Sequence, residues 1–194
     1  YKNYGGSVFN CAINKYVYVT VKRHSELYDE KFRLNYSKSE NTGSINKIQN
    51  RIIKECLKIT KITFPIYIST ISDIPTGSGL GGSSSFTVGL LKGLYALQEK
   101  KITKKKLYNI ACMIEIDILK EPIGKQDQIP AVYGGLNFTK FKKNGNIVKK
   151  SIDQKKIGRN FFESSLLVWT KSTRSASKIL QHQKKNININ LNQL

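Results

Sequence analysis

The 194 residues suffice for one domain with a sizeable core, or for most of a two-lobed one. An apolar share of 39% beside a charged share of 24% is a globular balance, which excludes a disordered chain, and no apolar run reaches membrane-spanning length. The formal net charge of +20 keeps nucleic acid, acidic membrane and phosphorylated substrates in view, but the lysines are scattered with few aromatics among them, a poor pattern for nucleic acid.

From the N-terminus, the β-branched and aromatic run from Ser7 to Lys22, broken at Asn14-Lys15, predicts a strand, a kink and a second strand. Residues 24–43 are polar, with room for a short strand around Phe32–Tyr36. Ser44 reads as the N-cap of a helix carrying Ile45, Ile48, Ile52, Cys56 and Ile59 inward. Phe64–Ile71 alternates as a strand that Pro75 stops. Past a glycine-rich loop, Phe86, Leu90, Leu94 and Leu97 mark one face of a helix starting near Ser83.

Thr103 caps a further helix with Leu107, Ile110, Ala111, Ile114 and Ile118 inward, ended by Pro122 and followed by a loop over Gly124–Pro130. Leu136–Phe141 and Ile147–Ile152 flank Asn144-Gly145-Asn146, a hairpin signal. Ser164–Thr170 predicts a strand, Ser172–Gln183 a helix, and the Asn-rich tail offers little to a core. Strands and helices mix without strict βαβ alternation, so the expected class is α+β.

Cys11, Cys56 and Cys112 are odd in number, far apart and set among apolar residues, the pattern of reduced core thiols in an intracellular protein. His24 and His182 have no ligand-like spacing to them, so a His/Cys metal site is not expected. The chain starts at Tyr1 with neither an initiator Met nor an apolar leader. It reads as a piece of a longer, cytoplasmic protein.

The run Ser72–Ser85 carries the chemistry. A glycine-rich turn feeding a serine-capped helix is an anion site: backbone N–H groups converge, the helix dipole favours negative charge, and absent side chains let a phosphate come close. A Walker A loop is excluded because Gly82 is followed by Ser83 and not by Lys. Gly77-x-Gly79-x-x-Gly82 fits the dinucleotide fingerprint, but no second strand ending in an acid follows about 20 residues on. A plain Gly/Ser linker is not usually wedged between a strand and an amphipathic helix.

Pro75-x-Gly77-Ser78-Gly79-Leu80-Gly81-x-Ser83-Ser84-Ser85 closely resembles the second motif of the galactokinase, homoserine kinase, mevalonate kinase and phosphomevalonate kinase (GHMP) superfamily. There the loop wraps the phosphates of ATP at a helix N-terminus. The resemblance implies a two-lobed fold, with a first lobe of the ribosomal protein S5 domain 2-like type over residues 1–158 and the start of a second lobe over 159–194. It also implies that Pro75, Gly77, Ser78, Gly79, Leu80, Gly81, Gly82, Ser83, Ser84 and Ser85 bind ATP, with the Ser83 hydroxyl on Mg²⁺. This chain departs from the usual pattern at Gly82, where the family has serine.

Two acids fall where the family needs them. Glu115 borders the apolar face of its helix, which by spacing alone suits a glutamate at the edge of a core; by resemblance it completes the Mg²⁺ shell. Asp127, in Gly124-Lys125-Gln126-Asp127-Gln128, would ordinarily be a cap or turn residue. The segment through Gly134-Gly135 resembles that of the sugar-kinase branch, which implies that Asp127 is the catalytic carboxylate. Lys125 either holds the Asp127 pKa down or meets a substrate phosphate.

Tyr4–Tyr16 and Thr173-Arg174-Ser175-Ala176-Ser177 resemble segments of the D-glycero-D-manno-heptose 7-phosphate kinases, which implies that Arg174 binds substrate phosphate. The implied activity is transfer of the γ-phosphoryl group of ATP to the sugar's anomeric hydroxyl. Galactokinase- or fucokinase-like activity, or a non-catalytic basic module binding nucleotide or nucleic acid, are the alternatives.

Overall fold

The computed structural model describes residues 5–153, 157 and 162–168. Two sheets share the work of forming a core. β1 (Gly6–Cys11), β6 (Leu136–Phe141) and β7 (Ile147–Ile152) form an antiparallel sheet in the order β1-β6-β7. β2 (Val17–Arg23), β5 (Ile66–Ser72), β3 (Phe32–Asn35) and β4 (Ser39–Thr42) form the second, in the order β2-β5-β3-β4. The β5–β3 pairing is parallel and the others antiparallel, so this sheet is mixed. The expected α+β class with a mixed sheet and packed helices is what the chain adopts.

Among the described residues, four α-helices pack with these sheets: α1 (Arg51–Thr60), α2 (Gly82–Leu97), α3 (Lys104–Cys112) and α4 (Gln128–Tyr133). The main core gathers Leu34, Ile66 and Ile68 from the mixed sheet, Ile53 and Leu57 from α1, and Leu90, Leu91 and Leu94 from α2. α2 lies close on β2 because Gly89 and Gly93, one turn apart, leave room for Val19 and Val21. That contact fixes the axis of α2, and with it the place of the glycine loop at its N-terminus.

The sequence expectations need several corrections. Ser44 caps only the 3₁₀ turn Ile45–Lys47; α1 starts later, where the Asn50 side chain accepts from Ile53 N. The polar β4 is an edge strand, which needs little apolar alternation. No serine caps α2: its N-cap is Gly81, in the left-handed region at φ 71°.

The helix after Thr103 changes form at Met113–Ile118, which is π-helical. The wider turn shifts the inward face by one residue, so Ile118 is 40% exposed and Leu119 is buried instead. The expected loop over Gly124–Pro130 contains the start of α4, because proline is tolerated in a helix's first turn. Cys56 and Cys112 are buried, but Cys11, at the end of β1, is exposed. Residues 164–168 form no strand, and Leu166, Leu167 and Val168 are exposed. The predicted helix 172–183 and Arg174 lie outside the described residues, as does most of the predicted second lobe. Among the described residues no helix is long and apolar enough to cross a membrane.

Candidate active site

The glycine loop is held at both roots. At its start, Asp73 Oδ2 accepts from Tyr16 N (2.8 Å) while Asp73 N donates to Tyr16 O (2.9 Å). At its end, Ser85 N donates to Gly81 O (2.9 Å) and opens α2. In between, Gly77, Gly79 and Gly81 are all left-handed, with φ of 80°, 79° and 71°. Ser78 and Leu80 between them are not, and such alternation turns successive N–H groups toward one side.

The N–H groups of Gly82, Ser83 and Ser84 lie outside the helix ladder, as at any helix start, and no capping side chain accepts from them. A Cβ at Gly79 or Gly82 would meet nothing within 4 Å. The loop from Pro75 to Ser83 is largely exposed, Leu80 included. An uncapped helix start beneath an open glycine turn suits an anion.

The hydroxyls of Ser83 and Ser84 face α3's π-helical extension. Ser83 Oγ donates to Glu115 Oε1 (2.6 Å) and Ser84 Oγ to Glu115 Oε2 (2.9 Å). Gln128 Nε2, from the first residue of α4, donates to the same Oε2 (2.6 Å). Glu115 is 1% exposed, so it lies inside the site and not at the edge of a core stripe. It follows Tyr108, Ala111 and Cys112 along the inward face of the helix, and Arg51 closes the segment by donating to Leu119 O (2.6 Å) and Glu121 Oε1 (3.3 Å).

Asp127 occupies the N-cap position of α4, yet its side chain makes no capping hydrogen bond. Its carboxyl lies instead against Gly81, where an added Cβ would stand 3.5 Å from Asp127 Cβ. Burial pushes the Asp127 pKa up, and the Gln126 side chain offsets this in part. The expectation that Lys125 holds this pKa down is not met: the shift is upward, and no ion pair joins the two among the described residues. The charge of Lys125 is felt at Cys112, whose thiol burial pushes up to about 11.

The loop carrying Asp127 is pinned from below by residues that motif reading does not reach. Asn10 Nδ2 donates to Gln126 O (3.2 Å) from β1, and Tyr108 Oη to Lys125 O (3.1 Å) from α3. The site therefore brings together the glycine loop, Ser83, Ser84, Glu115 and Asp127, and adds Gln128. Among the described residues no three or more His, Cys, Asp or Glu side chains gather to hold a metal ion. The hard donors that do meet are one carboxylate and two hydroxyls.

Within an α+β fold, an open glycine turn at a helix N-terminus thus lies beside two carboxylates, Glu115 and Asp127. Residues 46–135 match the family model described as the GHMP kinases N terminal domain, so this part of the chain is a GHMP kinase N-terminal domain. It is 30% identical to the D-glycero-alpha-D-manno-heptose 7-phosphate kinase of Campylobacter jejuni, over 93% of this chain and 56% of that protein. It is 30% identical to a homoserine kinase of Methanococcus vannielii, over 70% of this chain and 45% of that one. The chain thus spans about half the length of these relatives.

Among solved structures, it superposes on a D-glycero-D-manno-heptose 1-phosphate kinase of Bacteroides thetaiotaomicron with a TM-score of 0.76, at 25% identity, over 97% of this chain and 65% of that one. The phosphomevalonate kinase of Streptococcus pneumoniae, at 15% identity and a TM-score of 0.71, shares the fold.

Proposed function

We propose that this chain is the nucleotide-binding part of an ATP-dependent sugar kinase of the cytoplasm, one that phosphorylates the anomeric hydroxyl of D-glycero-D-manno-heptose 7-phosphate. The observation that carries the reading is the meeting, at the N-terminus of α2, of Ser83 and Glu115 on one side and the Asp127 carboxyl on the other.

In this reading the backbone N–H groups of Gly77–Ser85 hold the ATP phosphates at the helix start, where the dipole favours their charge. The Ser83 hydroxyl and Glu115 Oε1, 2.6 Å apart, are hard oxygens of the kind Mg²⁺ takes, and with few protein ligands the rest of its shell falls to phosphate and water. Held by Ser83 and Glu115, Mg²⁺ would supply neutralisation of the phosphate charge. Asp127 accepts the proton of the sugar hydroxyl as its oxygen bonds to the γ-phosphorus and the bond to the departing ADP oxygen breaks. A carboxyl whose pKa is raised by burial is a better base than an ordinary one. Lys125 and Arg174 are assigned to the phosphate that the sugar already carries.

The coarser reading, a GHMP small-molecule kinase, stands on the family match. The heptose phosphate rests on the Campylobacter relative and the Bacteroides neighbour. ADP release by the complete gene product, screened over hexoses, heptoses, their phosphates and homoserine, is expected to be fastest with a heptose 7-phosphate. Fast release with galactose, fucose or homoserine would overturn the substrate. Polyanion binding that collapses with added salt, with no acceptor-dependent ADP release, would overturn the enzyme.

A further inference from the structure

We propose that Gln128 and Ser84 are positioning residues that fix the Glu115 carboxylate for a divalent cation, an inference that rests on the metal-binding role of Glu115 above. The two oxygens of Glu115 are not equivalent. Oε2 accepts from Gln128 Nε2 (2.6 Å) and Ser84 Oγ (2.9 Å), whereas Oε1 accepts from Ser83 Oγ (2.6 Å). Gln128 and Ser84 are 0% and 2% exposed, so water does not stand in for either donor. Ser83 is exposed, so its contact alone can open to an incoming ion.

The clamp on Oε2 is also neutral. A lysine or arginine in place of Gln128 would satisfy the buried carboxylate better, but it would cancel the charge that attracts a cation. An amide and a hydroxyl hold the carboxylate in one orientation and leave its full negative charge for the ion. The amide sacrifices something to do this: with its nitrogen turned to Glu115, its Oε1 is buried with no hydrogen-bond partner. Apolar packing does not explain a side chain so placed.

Gln128 is also the residue after Asp127 and the first of α4. Through it, the loop that holds the proposed base is tied to the carboxylate that holds the metal. Loss of the amide frees Glu115 to turn and loosens the spacing between the two acids. Outer partners of metal ligands typically contribute about 10–100-fold to metal affinity.

The test is a Mn²⁺ titration of the complete gene product with a non-hydrolysable ATP analogue, following the free-ion signal by electron paramagnetic resonance, beside nucleotide affinity measured in EDTA. Gln128→Met is expected to weaken Mn²⁺ about 10-fold or more, and Ser84→Ala by less, with nucleotide affinity in EDTA unchanged. Unchanged Mn²⁺ affinity in both variants, while Glu115→Gln abolishes Mn²⁺ binding, overturns the positioning role and leaves the proposed function standing. Unchanged Mn²⁺ affinity in Glu115→Gln as well overturns both. A parallel loss of nucleotide affinity in EDTA reduces Gln128 to a structural residue and also overturns the inference. If Gln128→Met fails to fold, Ser84→Ala decides, since alanine is favoured at that helical position.

Discussion

Gly81 and Asp127 face each other across the site, so that a Cβ added to the glycine would stand 3.5 Å from Asp127 Cβ and 3.8 Å from its Cγ. Each is the N-cap of its helix, so two helix starts converge on one carboxyl. Those distances are ordinary van der Waals contact, so an alanine side chain at 81 would fit. Its backbone would not: φ of 71° is left-handed, which costs a β-carbon residue about 1–2 kcal/mol. Gly81→Ala is expected to lower the unfolding free energy in urea by that amount and to weaken nucleotide binding, because the turn that aims the loop relaxes. Gly81→Asn, which tolerates the left-handed region, is expected to lose less.

Asp127→Asn separates function from stability. In the proposed mechanism it removes the proton acceptor and leaves the phosphate cradle, so turnover should fall by orders of magnitude with nucleotide affinity nearly unchanged. Near-normal kcat in that variant would remove Asp127 from the role of base. Stability should move the other way. The folded pKa of Asp127 is raised above its ordinary value of 3.8, so the folded chain holds this proton longer than the unfolded one. Its contribution to stability therefore falls as pH rises from the unfolded toward the folded pKa, then stays low. Asp127→Asn is expected to raise Tm at neutral pH, and the gain should vanish below about pH 4, where both proteins carry a neutral group. Thermal unfolding from acid to neutral pH reads both limbs.

The opposite sign is expected at Glu40, which ties β4 to the start of α1. Burial alone would raise its pKa, but the Tyr36 hydroxyl, the backbone N–H groups of Gln49 and Asn50, and the charge of Lys54 outweigh burial and hold it below the ordinary glutamate value of 4.5. Tyr36 is pushed up to about 12 by burial and by that same hydrogen bond and charge. With the folded pKa depressed, the stabilisation is fully present above the unfolded pKa and is lost as pH falls through the folded one. Glu40→Gln is expected to cost about 0.5 kcal/mol at neutral pH, since the bonds it weakens are made to a charged group that solvent partly screens. The difference from the parent should close at acid pH, and denaturant titrations at two pH values check this.

Sequence reasoning reached the parts of this molecule whose cause is local. The glycine loop follows from residues that accept left-handed φ at no steric cost, and the β6–β7 hairpin from Asn144-Gly145. It did not reach what one extra residue in a turn can do. The π turn at Met113–Ile118, with Leu119 N bonded to Ile114 O, turns Ile118 out and Leu119 in, and helical spacing carries no sign of that switch. The expected loop over Gly124–Pro130 missed the start of α4, whose first turn accepts Pro130. Gln128 was visible beside Asp127, but its role lies in a contact to Glu115 across 13 positions, which no local pattern encodes. Asn10 and Tyr108 were unremarked strand and helix residues for the same reason.

Glycines of α2 should answer in opposite directions to the same kind of change. Gly82 opens the helix with φ outside the left-handed region, and a Cβ there would meet nothing within 4 Å. Gly82→Ser, which restores the residue usual in the family motif, is expected to stabilise by about 0.5 kcal/mol by narrowing the unfolded ensemble. Gly93 lies three turns further on, where a Cβ would come 3.0 Å from Val21 Cγ2; at Gly89 the nearest atom is Val19 Cγ2 at 3.3 Å. Both valines are β-branched and stiff at χ1, so they yield poorly. Alanine at 93 gains up to about 1 kcal/mol of helix propensity but overpacks the α2–β2 contact, at a cost of about 1–3 kcal/mol. Gly93→Ala is therefore expected to destabilise on balance, and Gly89→Ala to do so less. Because α2 carries the glycine loop on its first turn, lifting it from β2 also moves the loop relative to Asp127. Gly93→Ala should thus weaken nucleotide binding from a position well outside the site, while Gly82→Ser, inside it, should not. Calorimetric nucleotide titrations of the two variants, beside their melting curves, would reverse the argument if Gly82→Ser proved the weaker binder.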